Sequence, residues 1–220
     1  METGGDETQI GLFAFPTQSN LNGRRLPLGP SAQLRDRPSK GHQQHFSLLD
    51  AAALASTAAL DFSDTQSAPD FTALSLYKIF GFLDLGALIV RRSSSSVLQR
   101  RKFFGDGTVD MVINATDRCE IWTAKKQSLH EMLEDGTLRF HSIIALDSAL
   151  STHARLYGNM GNISRHTCML SKVLYDGIKA LKHYNGTALG KMYTPDGAAY
   201  GDGQRQGPII AFNIQDSRGK

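Results

Sequence analysis

Apolar residues fall along this chain in short runs, each closed by a turn-forming or charged residue. Ile10 to Phe15 is one such run, ended by Pro16; it reads as a buried strand emerging into a loop, because proline cannot continue a central ladder. Phe46 to Asp50 is a second, followed by the helix-prone Ala51 to Ala55. The third begins at Asp70-Phe71 and breaks at Lys78 and Gly81, and Leu85 to Val90 follows it. The stretch 71–90 has the length of a membrane span, yet Lys78 and Asp84 within it would each cost about 2.5–3.5 kcal/mol near a bilayer centre. It reads instead as two strands and a turn. Further on the period changes to 3.6. Ile143, Ile144, Leu146, Leu150, Ala154 and Leu156 predict a helix beginning near Phe140, and Leu170, Val173, Leu174, Ile178 and Leu181 predict a second over 163–183 that stops at Gly186. Pro27 to His45 shows no period and reads as a surface loop. A glycine-rich loop over 194–207 precedes a strand at Pro208 to Ile214.

Composition narrows the class. With 220 residues, 40% of them hydrophobic, the chain can bury a core, as one domain of about 100–200 residues or slightly more. A net charge of +3 from 24 basic and 21 acidic residues is too balanced to imply a polyanion partner. Cys119 and Cys168 stand in no paired motif, which argues against a disulfide framework or a zinc site and fits a reducing, cytoplasmic setting. The acidic opening Met1 to Glu7 does not read as a signal peptide. His141, His153, His166 and His183 are scattered, so they read as structural and no metal is expected. One segment is dense in charge, Arg91 to Lys102 with four consecutive serines. It could be modified or touch nucleic acid, but without interleaved aromatics it reads as a solvated loop and helix start.

The candidate chemistry sits where apolar runs end. A lysine delivered by a buried strand to the rim of a sheet loses hydration, which disfavours its ammonium form; the free amine can then condense with an aldehyde cofactor. Lys78 has that placement, although a lysine that only snorkels from a strand end has the same pattern. Asp50 follows a strand and precedes a helix-prone segment, the layout that brings a carboxylate to the carboxyl rim of a parallel sheet. A helix cap gives the same signature. In an extended segment Ser75 and Tyr77 share one face. Thr108, bracketed by glycine in Phe103 to Val109, offers a hydroxyl and backbone amides to an anion. Thr137 closes Glu134-Asp135-Gly136-Thr137, which is also a plain turn before a helix.

Taken together these segments resemble a known family. Ser75 to Phe82 and Leu85 to Val90 are similar to the pyridoxal-phosphate lysine segment of eukaryotic molybdenum cofactor sulfurases, within the class V aminotransferase and cysteine desulfurase superfamily. Pro16 to Gly23 resembles the family's Pro-x-Gln-Ser-Asn-x-x-Gly segment, Leu49 to Ala52 its Leu-Asp-Ala-Ala segment, Phe103 to Thr108 its Phe-Gly-Gly-Gly-Thr turn, and 134–137 its Glu-Asp-Gly-Thr motif. The resemblance implies pyridoxal 5'-phosphate as cofactor. Lys78 would hold it covalently, Asp50 would keep its pyridine nitrogen protonated, and Asn20 would donate a hydrogen bond to its phenolic oxygen. Ser75 would contact the phosphate, Tyr77 stands where bacterial desulfurases have a histidine, and Thr108 and Thr137 would reach an active site across a dimer interface. Three positions depart from the pattern. Ala53 replaces a polar ring contact, Gly81-Phe82-Leu83 stands where relatives often read Gly-Phe-Pro and so lacks a turn-stiffening proline, and Asp106 replaces a glycine and adds negative charge close to the phosphate site.

The fold this implies is α/β, carrying part of a fold-type I pyridoxal-phosphate transferase large domain, with a mixed, mostly parallel sheet, plus the start of the small C-terminal domain. The expected division is 1–141 for the large-domain part and 142–220 for connecting helices and the small-domain start. The implied function is transfer of sulfur from L-cysteine toward the molybdenum cofactor. The family's sulfur-accepting cysteine region would lie beyond Lys220, so the chain is expected to be an internal fragment or reduced copy. Other readings are a catalytically dead paralogue acting through protein contacts, by homodimerising or pairing with a full-length sulfurase, and nucleic-acid binding through Arg91 to Lys102. No membrane partner is expected.

Overall fold

The short apolar runs assemble as a four-stranded mixed sheet. The computed structural model describes residues 9–36, 43–81, 84–100, 106–115, 120–125, 128–194 and 199–220. Strands β1 (Gln9–Pro16), β2 (Gln43–Asp50), β3 (Phe71–Ser75) and β4 (Gly86–Val90) lie in the order β1-β2-β3-β4. The first two pairings are parallel and the last is antiparallel, so the sheet is mixed and mostly parallel, as expected. Pro16 stands opposite Asp50, and Asp50 opposite Ala73. Three carboxyl ends therefore share one rim, the edge at which open α/β sheets bind ligands.

Among the described residues, five α-helices and two antiparallel strand pairs accompany this sheet. They are α1 (Gly29–Arg35), α2 (Leu76–Phe80), α3 (Leu129–Leu133), α4 (Phe140–Tyr157) and α5 (Met160–Ala180), with β5 (Val109–Ala115) paired to β6 (Glu120–Lys125) and β7 (Gly190–Met192) to β8 (Phe212–Ile214). Both long helices stand where the 3.6 spacing puts them. Asn159 caps α5 by accepting a hydrogen bond from the Asn162 amide at 3.1 Å, satisfying one of the four amides that a helix start leaves unpaired. No helix among the described residues is long and apolar enough to cross a membrane.

A small core sits beneath β1 and β2. Phe15, Leu49 and Ala51 are buried, with Leu28, Leu60, Phe62 and Leu74 packed against them. Elsewhere apolar faces are open. Leu12 and Phe13 on β1 and Leu88 and Ile89 on β4 are exposed, α4 buries none of its residues, and Leu170, Val173 and Leu174 on α5 face outward. Amphipathic stripes are present on both helices, but the described residues do not cover them.

The strongest polar tie lies at the opposite end of the sheet from the carboxyl rim. The buried Asp70 carboxylate accepts hydrogen bonds from the Ser47 amide at 2.9 Å, the Ser47 hydroxyl at 2.8 Å and the Ser94 hydroxyl at 2.7 Å, with Arg35 at 3.6 Å. Burial pushes its acidity toward the neutral form, but the hydrogen bonds from Ser47 and Ser94 together with Arg35 outweigh it and hold Asp70 below the ordinary carboxylate range. Sequence periodicity gave no sign of this tie, because its members come from four separate segments.

Four local expectations are corrected. The interval Pro27 to His45 contains α1 and the start of β2; a seven-residue helix with Pro at its first turn is too short to display a period, and Arg35 in it reaches the carbonyl of Ala68 at 2.8 Å. Ala51 to Ala55 is not a regular helix. The Ala51 amide donates to the Ala73 carbonyl at 3.1 Å, continuing the sheet ladder, and only a 3-10 turn over Leu54–Ser56 follows. The segment after Ser75 is helical, closed by Gly81 at φ +88°, so Ser75 and Tyr77 do not share a strand face. Finally, only Phe212–Ile214 of the Pro208 to Ile214 run pairs as a strand.

Candidate functional site

Asp50 ends β2 and is exposed. Its Oδ1 accepts from the Ala52 amide at 3.0 Å, so the carboxylate does cap the following turn, while its other oxygen has no partner among the described residues. The backbone carbonyl of Asp50 is also occupied, accepting from the amide and the hydroxyl of Thr17, each at 3.0 Å. These two bonds pin the start of the loop after β1 to the end of β2. Asn20 follows three residues later in a turn, and its side chain is exposed.

Lys78 lies on α2, three residues past the end of β3. It is exposed, and so is Tyr77. The expectation of a strand-borne, dehydrated lysine is therefore corrected: a helical turn lifts the amine into solvent, because Gly81 accepts the left-handed backbone that ends that turn. Ser75 is half-buried at the junction of β3 and α2. On its far side α2 packs on α4, with Phe80 edge-on to His153 at 5.5 Å. A cleft of about 390 Å³ opens there, lined by Ile79, Phe80, Ala149, His153 and Tyr157 among others, and Lys78 is not part of its lining.

The segments that carry Asn20, Asp50, Ser75, Tyr77 and Lys78 thus all follow the carboxyl ends of three adjacent parallel strands. Thr108 and Thr137 lie on other elements. Thr108 is buried in a 3-10 turn over Asp106–Thr108 that packs against α3, and Thr137 is exposed in the loop between α3 and α4. The side chain of Asp106 and all of Cys119 lie outside the described residues, as do residues 101–105 of the basic segment and its continuation. Within that segment Arg91 is engaged structurally, donating to the carbonyls of Thr65 and Ala68, the latter at 3.1 Å. Among the described residues no group of His, Cys, Asp and Glu could hold a metal ion.

Sequence reasoning missed the residues that fix the Asn20 loop. Arg25 donates from Nε to Gln18 at 3.1 Å, from Nη2 to the Thr57 hydroxyl at 3.0 Å and from Nη1 to the Gly203 carbonyl. Burial lowers the Arg25 guanidinium from its ordinary value, with nearby Cys168 acting in the opposite sense. Gln206, almost fully buried, donates to the Asn22 carbonyl at 2.6 Å. No local signal announces contacts between residues so distant in the chain.

Comparison with known proteins bears on this arrangement. The family model described as aminotransferase class-V matches residues 9–197. The chain belongs to the class V aminotransferase family. It is 56% identical over 208 residues to a molybdenum cofactor sulfurase of Aspergillus terreus, covering 94% of this chain and 25% of that protein. A molybdenum cofactor sulfurase of Emericella nidulans is 55% identical over 214 residues, covering 97% of this chain and 25% of its own length. The chain thus spans about a quarter of the length of these curated relatives. Among solved structures, the apo cysteine desulfurase from Thermococcus onnurineus superimposes with a TM-score of 0.62 at 18% identity, over 92% of this chain and 44% of that one. At that identity the likeness speaks to fold, and it agrees with the mixed, mostly parallel sheet of a fold-type I enzyme. Pyridoxal 5'-phosphate is the cofactor of the family.

Proposed function

We propose that this chain is the lysine-bearing part of a pyridoxal-phosphate-dependent sulfurtransferase that draws sulfur from L-cysteine for delivery to the molybdenum cofactor. The observation that carries the reading is the placement of Asp50 and Lys78 behind the carboxyl ends of the neighbouring parallel strands β2 and β3, with Asn20 behind β1. Adjacent strands stand about 4.8 Å apart, so a carboxylate, an amine and an amide from three strand ends can address one planar ring. The donor set fits the cofactor at that end. Asp50, with one oxygen free, suits the pyridine nitrogen, Lys78 the aldehyde carbon, and Asn20 the phenolic oxygen. By the family resemblance Ser75 would contact the phosphate, and Tyr77 takes the place of the histidine of bacterial desulfurases. When bound, the cofactor supplies an electron sink for the substrate's α-carbon.

The chain's own groups then have defined tasks. Asp50 holds negative charge against the ring nitrogen, and its capped oxygen fixes the carboxylate's direction. Lys78 Nζ, unhindered on α2, carries a proton to and from the substrate carbon. By the family resemblance Thr108 and Thr137 are assigned to a second protomer's phosphate; Thr137 is exposed for such a contact, whereas Thr108 is buried within its own chain. The same reading divides the chain near residue 141. A second reading, action through protein contacts with a homologous partner, is favoured by the open apolar faces of β1, β4, α4 and α5.

Two experiments test this. With pyridoxal phosphate, L-cysteine and an added dithiol that takes up the sulfur, Asp50→Ala should lower alanine release on the order of 100-fold, with a much smaller change in cofactor affinity. Equal release would reduce Asp50 to a turn cap. Separately, the chain alone should not complete multiple turnovers, because a sulfur acceptor must be a mobile, exposed thiolate and Cys168 is held half-buried on α5 in the cleft against Gly203. Repeated sulfide release with a persulfide trapped on Cys119 or Cys168 would overturn that expectation.

A further inference from the structure

We propose that Gln206 and Arg25 are positioning residues for Asn20, so that the segment 199–209 sets which polar group the cofactor's ring oxygen meets. The inference rests on the pyridoxal-phosphate reading above and deepens it. Asn20 sits in a turn closed by its own backbone, with the Gly23 amide donating to the Ser19 carbonyl at 3.0 Å and the Ser19 amide to the Arg24 carbonyl at 2.9 Å. That turn is gripped from outside. The Gly207 amide donates to the Gly23 carbonyl at 2.7 Å, the Arg25 amide to the Arg205 carbonyl at 2.9 Å, and Gln206 Nε2 to the Asn22 carbonyl at 2.6 Å.

Side chains lock the grip from both directions. Arg25 spans Gln18, Thr57 and Gly203. A Cβ on Gly207 would stand 2.2 Å from Gln18 Oε1, and one on Gly23, where φ is +72°, would stand 2.9 Å from the Gly207 carbonyl oxygen. The two segments therefore pack closely at both glycines, Gly23 against the Gly207 carbonyl and Gly207 against the Gln18 side chain. Asn20 itself is exposed and has no partner among the described residues. A rigid turn with one free amide at its tip is a donor whose direction is fixed before any ligand arrives, which is what makes a single hydrogen bond selective. Because the gripped carbonyls belong to Asn22 and Gly23, two and three residues from Asn20, any displacement of 205–207 turns the Asn20 amide.

The experiment compares Asn20→Ala, Gln206→Ala, Gln206→Met and the double variant Asn20→Ala with Gln206→Met in the full chain. Gln206→Met keeps volume while deleting the donor, so it reports even where the alanine variant fails to fold. In cofactor-free protein, amide exchange at Ser19 and Gly23 should quicken about tenfold in Gln206→Met, the equivalent of one lost hydrogen bond. With pyridoxal phosphate, Gln206→Met and Asn20→Ala should move the visible absorbance maximum in the same direction, the double variant no further than Asn20→Ala, and borohydride should still fix cofactor at Lys78 in all of them. Additive shifts, or an unshifted maximum in Gln206→Met with only a lower melting temperature, would overturn the positioning role and leave the cofactor assignment standing. Absence of fixation at Lys78 in the unaltered chain would overturn both.

Discussion

Borohydride treatment of the chain loaded with pyridoxal phosphate will attach the cofactor irreversibly to Lys78, and Lys78→Ala will abolish the attachment. The expectation comes from which amines are free. Lys172 is held by Asp176 at 2.7 Å, while Lys179 and Lys191 lie over the rings of Tyr175 and Tyr193 at 5.6 Å and 5.5 Å. Lys78 has no such partner among the described residues and stands behind the sheet rim that also holds Asp50 and Asn20. An aldehyde anchored by ring contacts to that rim meets the Lys78 amine at an effective concentration far above that of a freely diffusing reagent, which is the advantage of intramolecular placement. Peptide mapping after reduction should find the label on Lys78 in the unaltered chain and only a low, scattered background in Lys78→Ala. Lys78→Arg should behave like the alanine variant, since a guanidinium does not deprotonate to a nucleophile. Equal labelling of Lys172, Lys179 and Lys191 in the unaltered chain would defeat the assignment.

Asp70→Ala will cause the largest loss of stability expected from any single polar change, about 3 kcal/mol. It strips one acceptor from three donors at once, the Ser47 amide and the hydroxyls of Ser47 and Ser94, all of them on residues that are themselves buried. Arg35 and the serines would then face a cavity without a counter-charge. The urea midpoint should fall with little change in slope, since the surface exposed on unfolding is nearly the same. The pH dependence has a definite sign. Asp70 is held below its unfolded acidity, so its contribution is fully present above about pH 4 and disappears as pH falls through the lower folded value. In the unaltered chain stability should decline across that acidic window, and Asp70→Ala should lack this component. Parallel pH curves for the two proteins would show that Asp70 is not the coupled group.

Much of the site could be read from residues alone because its members lie within short segments with local meaning. A run of apolar residues that ends in Asp50, and another that ends near Lys78 and Gly81, locate strand ends whatever the rest of the chain does. Those ends converge on one rim because β1, β2 and β3 pair in parallel. Helices α4 and α5 were legible for the same reason, being long enough to show several turns of a period. By contrast α1 and α2 are seven and five residues long, less than two turns each, so no period could reveal them. The geometry of Lys78 changed with α2: alternation along a strand put Ser75 and Tyr77 on one face, and a helical turn separates them.

The family and the α/β class were legible in local patterns and short motifs, which also singled out Asn20, Asp50 and Lys78 as candidates. Only the tertiary structure decided which of those residues meet. It placed Thr108 inside against α3. It brought Gln206 to Asn22 across almost the whole chain, and it joined Ser47, Asp70, Ser94 and Arg35 from four segments around one carboxylate. The physical reason is common to all three. A buried polar group must find a partner wherever one can be brought within hydrogen-bonding distance, and chain packing, which no local pattern encodes, selects that partner.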